Sequence, residues 1–360
     1  MSSLNAPAGI GELWHQRVAS LQEYEIVRDG NVFRSDLSNN ALFSSEYESA
    51  LQQLSHLIRR FEGKPVETVF SGHDLNNEGG SCFALTTSHS LEILKIDASA
   101  VRNHLLDDLT LVHGIGPSTQ RRLKSHGFET LPDLLSHPRY RMRVNEVLEC
   151  FANGKSGNVI DLIGTRHQKS HPLVLGTALF HEPEEMVFVD IETMGLFSRP
   201  IILFGVGRYE KGIFVVHQYL VRDIPEEEAA LIATCEHLAG DTPALVTFNG
   251  KSFDLPYIKD RLAYYGMRIP ESIPHYDVLH FSRRQWRDQF PSLRLSALES
   301  EVFGISREDD VPGQMVPEFY ETYLRTGNCG PLVPIVEHNR QDVLSLAMLF
   351  SHLLEEHYGS

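Results

Sequence analysis

Cysteine, long apolar runs and net positive charge are all scarce in this chain of 360 residues. The cysteines lie far apart, with no C-x-x-C pair, which argues against a zinc site and against a disulfide framework: Cys82, Cys150, Cys235 and Cys329. No apolar run approaches the roughly 18 residues that span a bilayer, and the start MSSLNAPAGIGELWHQ lacks the basic and apolar parts of a signal peptide. We therefore predict a cytoplasmic protein that is neither exported nor inserted in a membrane.

The net charge of −16 argues against a broadly basic surface. It leaves nucleic acid open as a partner, because affinity for a phosphate backbone depends on where Lys and Arg cluster. A site built for divalent cations is also acidic in itself. With 42% hydrophobic and 22% charged residues, the composition is typical of a globular protein with room for two or three domains.

Three parts are predicted along the chain. Residues 1–100 are expected to form an N-terminal α+β lobe of unassigned role, with a helix from about Ser44 and one or two strands in SCFALTTSHSLEIL. Residues 101–165 are expected to form a small, mainly helical domain. In residues 180–358, three strand-like runs with short turns predict an antiparallel meander, followed by alternating helices and strands and a long terminal helix. That order of elements resembles the RNase H-like α/β fold, a mixed sheet flanked by helices.

The second part contains a candidate nucleic-acid-binding hairpin in LLDDLTLVHGIGPSTQRRLKSHGFETLPDLLSH. Gly114 and Gly116 free the backbone to turn sharply and bring amide N–H groups close to an anion at the next helix N-terminus. Three basic residues follow this turn and locally reverse the acidity: Arg121, Arg122 and Lys124. The segment resembles the helix-hairpin-helix motif, which holds a nucleic-acid backbone without reading its sequence. A plain helical hairpin that uses glycine for packing is the alternative.

The third part carries acids in three separated segments. Asp190 and Glu192, in FVDIETMG, lie on one side of a strand, roughly 7 Å apart. Buried like charges persist when they are paired or bind a cation, and no Lys or Arg lies within this strand. Asp254, in TFNGKSFDLPYI, starts a helix after a strand. Asp342, in EHNRQDVLSLAMLF, lies one helical turn from His338. Taken singly, each acid also suits a solvated strand end, a helix first turn or a surface pair.

Taken together, FVDIET, TFNGKSFD and HNRQD resemble the three exonuclease motifs of the DEDD superfamily of RNase H-like exonucleases. The intervening text, with R-x-x-W and L-x-x-L-E segments and the stretch REDDVPG, is similar to the predicted YprB-like exonuclease family over roughly residues 183–355. The four acids that such enzymes use would be Asp190, Glu192, Asp254 and Asp342. One departure concerns the residue near the last acid. In the two well-known subclasses, this residue is either Tyr four residues before the last acid or His five residues before it. This chain instead has His338, four residues before Asp342.

This resemblance implies a two-metal-ion nuclease that uses Mg²⁺ or Mn²⁺, most simply a 3′-5′ exonuclease on DNA. Asp190 would contact both metals, Glu192 and Asp342 chiefly the metal that activates water, and Asp254 the other. His338 would take the proton from the attacking water. Three alternatives stay open: an RNA exonuclease, a structure-specific endonuclease of the same fold, and a non-catalytic nucleic-acid-binding scaffold.

Further nucleic-acid contacts are predicted around the acids. Asn249 and Phe253 lie beside Asp254 and would touch the sugar or stack on the terminal base, with core packing as the alternative for Phe253. A basic stretch beside Trp286 suits either a phosphate-tracking channel or an exposed helix face: Arg283, Arg284 and Arg287. Asp277 ends a short strand and either supports the site or caps the next helix.

Overall fold

A computed structural model describes residues 39–91, 96–153, 155–195, 199–240, 242–268, 273–307 and 311–359, with side chains from residue 47 onward. The N-terminal segment used to argue against export, and residues 92–95 of the predicted N-terminal lobe, lie outside these ranges. Backbone contacts divide the chain into two units. One comprises Met1–Lys64 and Val311–Leu332, and the other comprises Pro65–Asp310 and Val333–Ser360.

The helices follow one another along the described chain as α1 (Asn39–Arg60), α2 (Val66–Val69), α3 (Ser99–Asp107), α4 (Pro117–Ser125), α5 (Arg141–Ala152), α6 (Ser156–Gly164), α7 (Pro172–Gly176), α8 (Glu227–Glu236), α9 (Asp254–Tyr264), α10 (Val278–Trp286), α11 (Leu295–Phe303), α12 (Val316–Thr326) and α13 (Leu332–Tyr358). The strands are β1 (Gly72–Asn77), β2 (Gly80–His89), β3 (Met186–Thr193), β4 (Ile201–Glu210), β5 (Ile213–Leu220), β6 (Ala244–Thr247) and β7 (His275–Asp277). Among the described residues, no helix is both long and apolar enough to cross a membrane.

The strands form one seven-stranded mixed sheet in the order β1-β2-β5-β4-β3-β6-β7. β3, β4 and β5 pair antiparallel, and β6 and β7 run parallel to β3. This confirms the predicted α/β fold and its antiparallel meander. β1 and β2 pair with each other and β2 pairs with β5, so these two strands extend the same sheet rather than forming one of their own. The boundary of the N-terminal lobe stays a prediction.

The sheet is buried on both faces because helices cover it on each side. On one face, Val187, Val189 and Ile191 of β3 pack in a cluster with buried residues of α8 and α9. On the other face, Phe188 packs with residues of α13, and its ring centroid lies 5.8 Å from that of Phe350. Since side chains alternate along a strand, Asp190 and Glu192 continue the row of Phe188, on the face that α13 covers.

Glycine in β4 permits the close approach of α13. Gly205 is the strand partner of Asp190, and a Cβ at this position would overlap the side chain of Asn339. Gln218 of β5 donates hydrogen bonds to the Val336 carbonyl at 2.9 Å and to Asn339 Oδ1 at 2.8 Å. The polar stripe of α13 is thus held against the sheet beside the acids of β3.

Candidate active site

The structure brings the four predicted acids and His338 to one end of β3. Oδ1 of Asp254, the first residue of α9, accepts the backbone N–H of Ile191 at 3.2 Å. Nε2 of His338 lies 3.8 Å from Glu192 Oε1 and 3.6 Å from Asp342 Oδ2. The helical spacing of His338 and Asp342 therefore places both beside the strand, as the sequence predicts. Their catalytic roles stay predictions.

Burial dominates the electrostatics of Asp190 and Asp254. Burial, followed by the charges of Asp342, Glu192 and Asp254, raises the pKa of Asp190 well above its ordinary value. Burial likewise raises the pKa of Asp254 to about 7, although the N–H of Ile191 acts in the opposite direction. The carboxylate form of each residue is therefore destabilised unless a cation is nearby.

Such a donor set fits hard divalent cations, which prefer carboxylate oxygens and relieve this repulsion. The side chains are nevertheless not arranged as a finished metal site. Within the part of the chain that the structure describes, no three His, Cys, Asp or Glu side chains are placed to hold an ion as they stand.

Asn339 is a site residue that the sequence analysis did not single out. It is fully buried, and its Nδ2 donates to Asp190 Oδ2 at 2.8 Å and to the Asp190 carbonyl at 3.1 Å. The bond to Oδ2 orients the Asp190 carboxylate and favours its ionised form. The signal was present in HNRQD, since Asn339 lies one residue after His338. The direction of its side chain depends on Gly205, which lies far away in the sequence and leaves room for it.

Arg307 and Glu299 were missed as well. The guanidinium of Arg307 donates to Asp342 Oδ1 at 2.5 Å and to Glu299 Oε2 at 2.5 Å, and its Nη1 lies 3.4 Å from His338 Nδ1. Glu299 of α11 is 1% exposed and also accepts from Gln341 and Ser345. In the sequence, Arg307 was only the first residue of a family-like R-x-D segment, with nothing to connect it to an acid 35 positions away.

Asp277 supports the loop that precedes Asp254. It is fully buried, and its carboxylate accepts the backbone N–H groups of Asn249 at 2.8 Å and Lys251 at 3.0 Å. Its side chain makes no capping bond to α10. The observed contacts therefore match the supporting role rather than the capping role. Asn249 has a φ of 64°, in the left-handed region that asparagine tolerates better than most residues with side chains, and the Asp277 bonds hold the loop on either side of it.

Replacing Asp277 with Asn is expected to lower the kcat/KM of a reaction at the acids of β3 by about tenfold, because Asp277 supports the loop that positions Asp254. One of the two loop amides loses its acceptor, so the free energy of unfolding should fall by about 1 kcal/mol. Initial rates and urea unfolding measure the two effects. The control is Asp288→Asn, which neutralises an exposed acid just beyond α10. An unchanged rate in Asp277→Asn would mean that the loop does not position the site.

The remaining residues predicted to contact nucleic acid differ in how far they are buried. Phe253 is partly buried against the α8–α9 core cluster, and its ring centroid lies 5.5 Å from that of Tyr257. Core packing thus accounts for much of its surface. Trp286 is 4% exposed, so it is part of the core rather than a stacking platform. The three neighbouring arginines have accessible surface, with Arg283 partly buried and Arg284 and Arg287 exposed.

The predicted hairpin turn lies between the short 3₁₀ helix Leu109–Leu111 and α4. Gly114 has a φ of +90° and requires glycine, whereas Gly116 is extended, with φ −99°. A Cβ at Gly116 would meet nothing within 4 Å, so a ligand has room to approach its backbone. Arg143 of α5 donates to the His113 carbonyl at 3.1 Å and holds the turn. Arg121 and Arg122 are exposed, and Lys124 is partly buried.

The RNase_H superfamily model matches residues 187–354. Over 189 residues, the chain is 33% identical to the uncharacterized protein YprB of Bacillus subtilis (strain 168). That match covers 51% of this chain and 45% of YprB, so the chain spans less than half the length of this relative.

Among solved structures, the family B DNA polymerase of the hyperthermophilic archaeon Pyrobaculum calidifontis matches with 18% identity and a TM-score of 0.35. The match covers 45% of this chain and 24% of the polymerase chain. The family match and the mixed sheet agree, and residues 187–354 therefore form an RNase H-like domain.

Proposed function

We propose that this chain is a divalent-metal-dependent nuclease that hydrolyses phosphodiester bonds, with DNA as substrate and 3′-5′ exonuclease action. The observation that carries the proposal is the convergence of Asp190, Glu192, Asp254 and Asp342 at one end of β3, where burial and repulsion raise the pKa of Asp190 and of Asp254. A fold gains no stability from gathering like charges in this way, so a cation-dependent reaction is the best account of them.

Asp190, Glu192, Asp254 and Asp342 would hold two Mg²⁺ or Mn²⁺ ions. Bound there, such ions would activate a water molecule and neutralise the leaving oxygen. Asn339 would keep the Asp190 carboxylate turned toward the ions through its bond at 2.8 Å. His338 faces both Glu192 and Asp342, and its imidazole would accept the proton of the attacking water.

The hairpin between residues 112 and 117 would hold the substrate backbone. Support comes from the open space at Gly116, the exposed arginines of α4 and a cavity of about 690 Å³ lined in part by Ile115, Gly116 and Pro117. Contacts of this kind act on phosphates and are insensitive to base sequence. The hairpin would thus increase the affinity for nucleic acid, and the four acids would support hydrolysis.

Removing the two α4 arginines together, Arg121→Ala with Arg122→Ala, is expected to weaken DNA binding about tenfold at low salt, equally for unrelated sequences. The slope of log K against log[salt] should flatten by about 1 to 2, because fewer counterions are released. Fluorescence anisotropy over a salt series measures both. The control is Arg59→Ala with Arg60→Ala, an equal charge change at exposed positions of α1. An unchanged slope in the α4 variant would exclude the hairpin as a DNA contact.

The proposed function is tested with end-labelled single-stranded DNA, duplex DNA and RNA, incubated with Mg²⁺ or Mn²⁺ and with EDTA as the reference. We expect metal-dependent shortening of DNA from the 3′ end. Faster loss of RNA would reassign the substrate, and cutting of circular DNA would reassign the mode to endonuclease. Binding without cleavage of any substrate would favour a non-catalytic scaffold.

A further inference from the structure

Arg307 places a positive charge directly on one of the proposed metal ligands. Its guanidinium bonds Asp342 Oδ1 at 2.5 Å, and the Arg307 side chain is only 10% exposed. Burial acts to lower the pKa of Arg307, but its bonds to Glu299 and Asp342 and their negative charges outweigh burial and raise that pKa, so Arg307 stays charged at every working pH. The Asp342 carboxylate is thus already paired with a cation that belongs to the protein.

Glu299 holds this cation in place. It bonds Arg307 Nε at 2.5 Å from a position that is 1% exposed, and Gln341 donates to its other oxygen at 2.9 Å. Because Glu299 is anchored on α11 in this way, Arg307 need not leave the site when it loses one partner. It would retain Glu299 and move only the end of its side chain.

A divalent cation and a guanidinium cannot use the same carboxylate oxygen at full strength. Like charges a few Å apart repel by several kcal/mol at the effective dielectric of a protein interior. Arg307 occupies Oδ1 of Asp342, and the other oxygen, Oδ2, lies 3.6 Å from His338 Nε2, so a metal at either oxygen would meet one of these groups and the nearby positive charge of Arg307.

We propose that Arg307 competes with a divalent cation for Asp342, so that metal binding at this carboxylate requires Arg307 to give it up. Arg307 is then a positioning residue: it keeps Asp342 paired and aligned beside His338, and it lowers the affinity of the site for metal. This inference rests on the proposed metal-dependent function. Under this inference, Arg307 makes the binding of a divalent cation at Asp342 weak and readily reversible.

The test measures Mn²⁺ binding by isothermal titration calorimetry on the full chain without nucleic acid. Because Arg307→Gln alone would strand the buried Glu299 charge, the main variant is Glu299→Gln with Arg307→Gln, which removes both charges together. Its matched control is Glu299→Gln, which keeps Arg307. We expect the double variant to bind Mn²⁺ at least about tenfold more tightly than the control, and Arg307→Lys to remain close to the wild type.

A second comparison assigns the effect to Asp342. In an Asp342→Asn background, replacing Glu299 and Arg307 should no longer change Mn²⁺ affinity, because the contested carboxylate is gone. Circular dichroism and thermal unfolding confirm that each variant folds. Equal or weaker Mn²⁺ binding in the double variant would overturn the competition while leaving the nuclease proposal intact. Failure of every form of the protein to bind Mn²⁺ would overturn both.

Discussion

Asp190→Asn is expected to lower the proposed nuclease activity by at least about 10³-fold, the largest effect of the substitutions considered. The charges of the other three acids all raise the pKa of Asp190, and a hydrogen bond of 2.8 Å from Asn339 Nδ2 to Asp190 Oδ2 orients its carboxylate. The amide keeps the size of the side chain but supplies a neutral, weaker ligand for a hard cation. Removal of an interaction made at the reacting centre should appear in kcat more than in KM.

The same substitution should stabilise the metal-free protein, because it removes a buried charge that repels its neighbours. In EDTA we expect a higher Tm for Asp190→Asn than for the wild type. With Mg²⁺ in excess, the Tm of the wild type should rise and that of the variant should stay, since only the wild type gains binding energy. Asp161→Asn, at an exposed acid of α6, is the matched control. An active Asp190→Asn enzyme would refute the site assignment.

A second large effect concerns pH and His275, which lies on β7 two residues before Asp277. Burial, followed by the charges of Lys251, Lys259 and His280, lowers the pKa of His275 to about 3, and its Nε2 is hydrogen-bonded to Thr247 Oγ1 at 2.8 Å. The unfolded chain would titrate near 6.5. Between these values the unfolded state binds more protons than the folded state, so stability falls as pH decreases below 6.5.

The contribution of His275 to the free energy of unfolding should therefore shrink by about 2 kcal/mol between pH 7 and pH 5, at about 1.36 kcal/mol per pH unit below 6.5. In His275→Gln, the loss of stability over this range should be smaller by that amount. Urea unfolding at each pH gives the comparison. His56→Gln, at an exposed position of α1, removes one histidine without removing burial. Identical pH profiles for wild type and His275→Gln would show that His275 is not buried in its neutral form.

Much of the fold was predictable because its signals are local. Alternating and continuous apolar runs such as MVFVDIE and GIFVVHQYLV indicate buried strands, and the structure places them in an antiparallel meander. The pairing of β2 with β5, which adds β1 and β2 to the sheet, was not predictable. The sequence of a strand does not identify a pairing partner that lies about 130 residues away. Pairing at that distance depends on which edge of the sheet is available.

The sequence by itself determined the chemical nature of the site. Asp190 and Glu192 share a strand face through the two-residue period, and His338 and Asp342 share a helix face through the helical period. Those relations follow from backbone geometry alone.

Only the tertiary structure decided which side chains form hydrogen bonds with these acids. The Asn339 bond to Asp190 depends on the space left by Gly205, and the Arg307 bond to Asp342 depends on Glu299 anchored in another helix. Each partner comes from a distant segment and acts through one specific direction of a side chain. Periodicity predicts which face a residue occupies, but the partner across that face is set by how the elements pack.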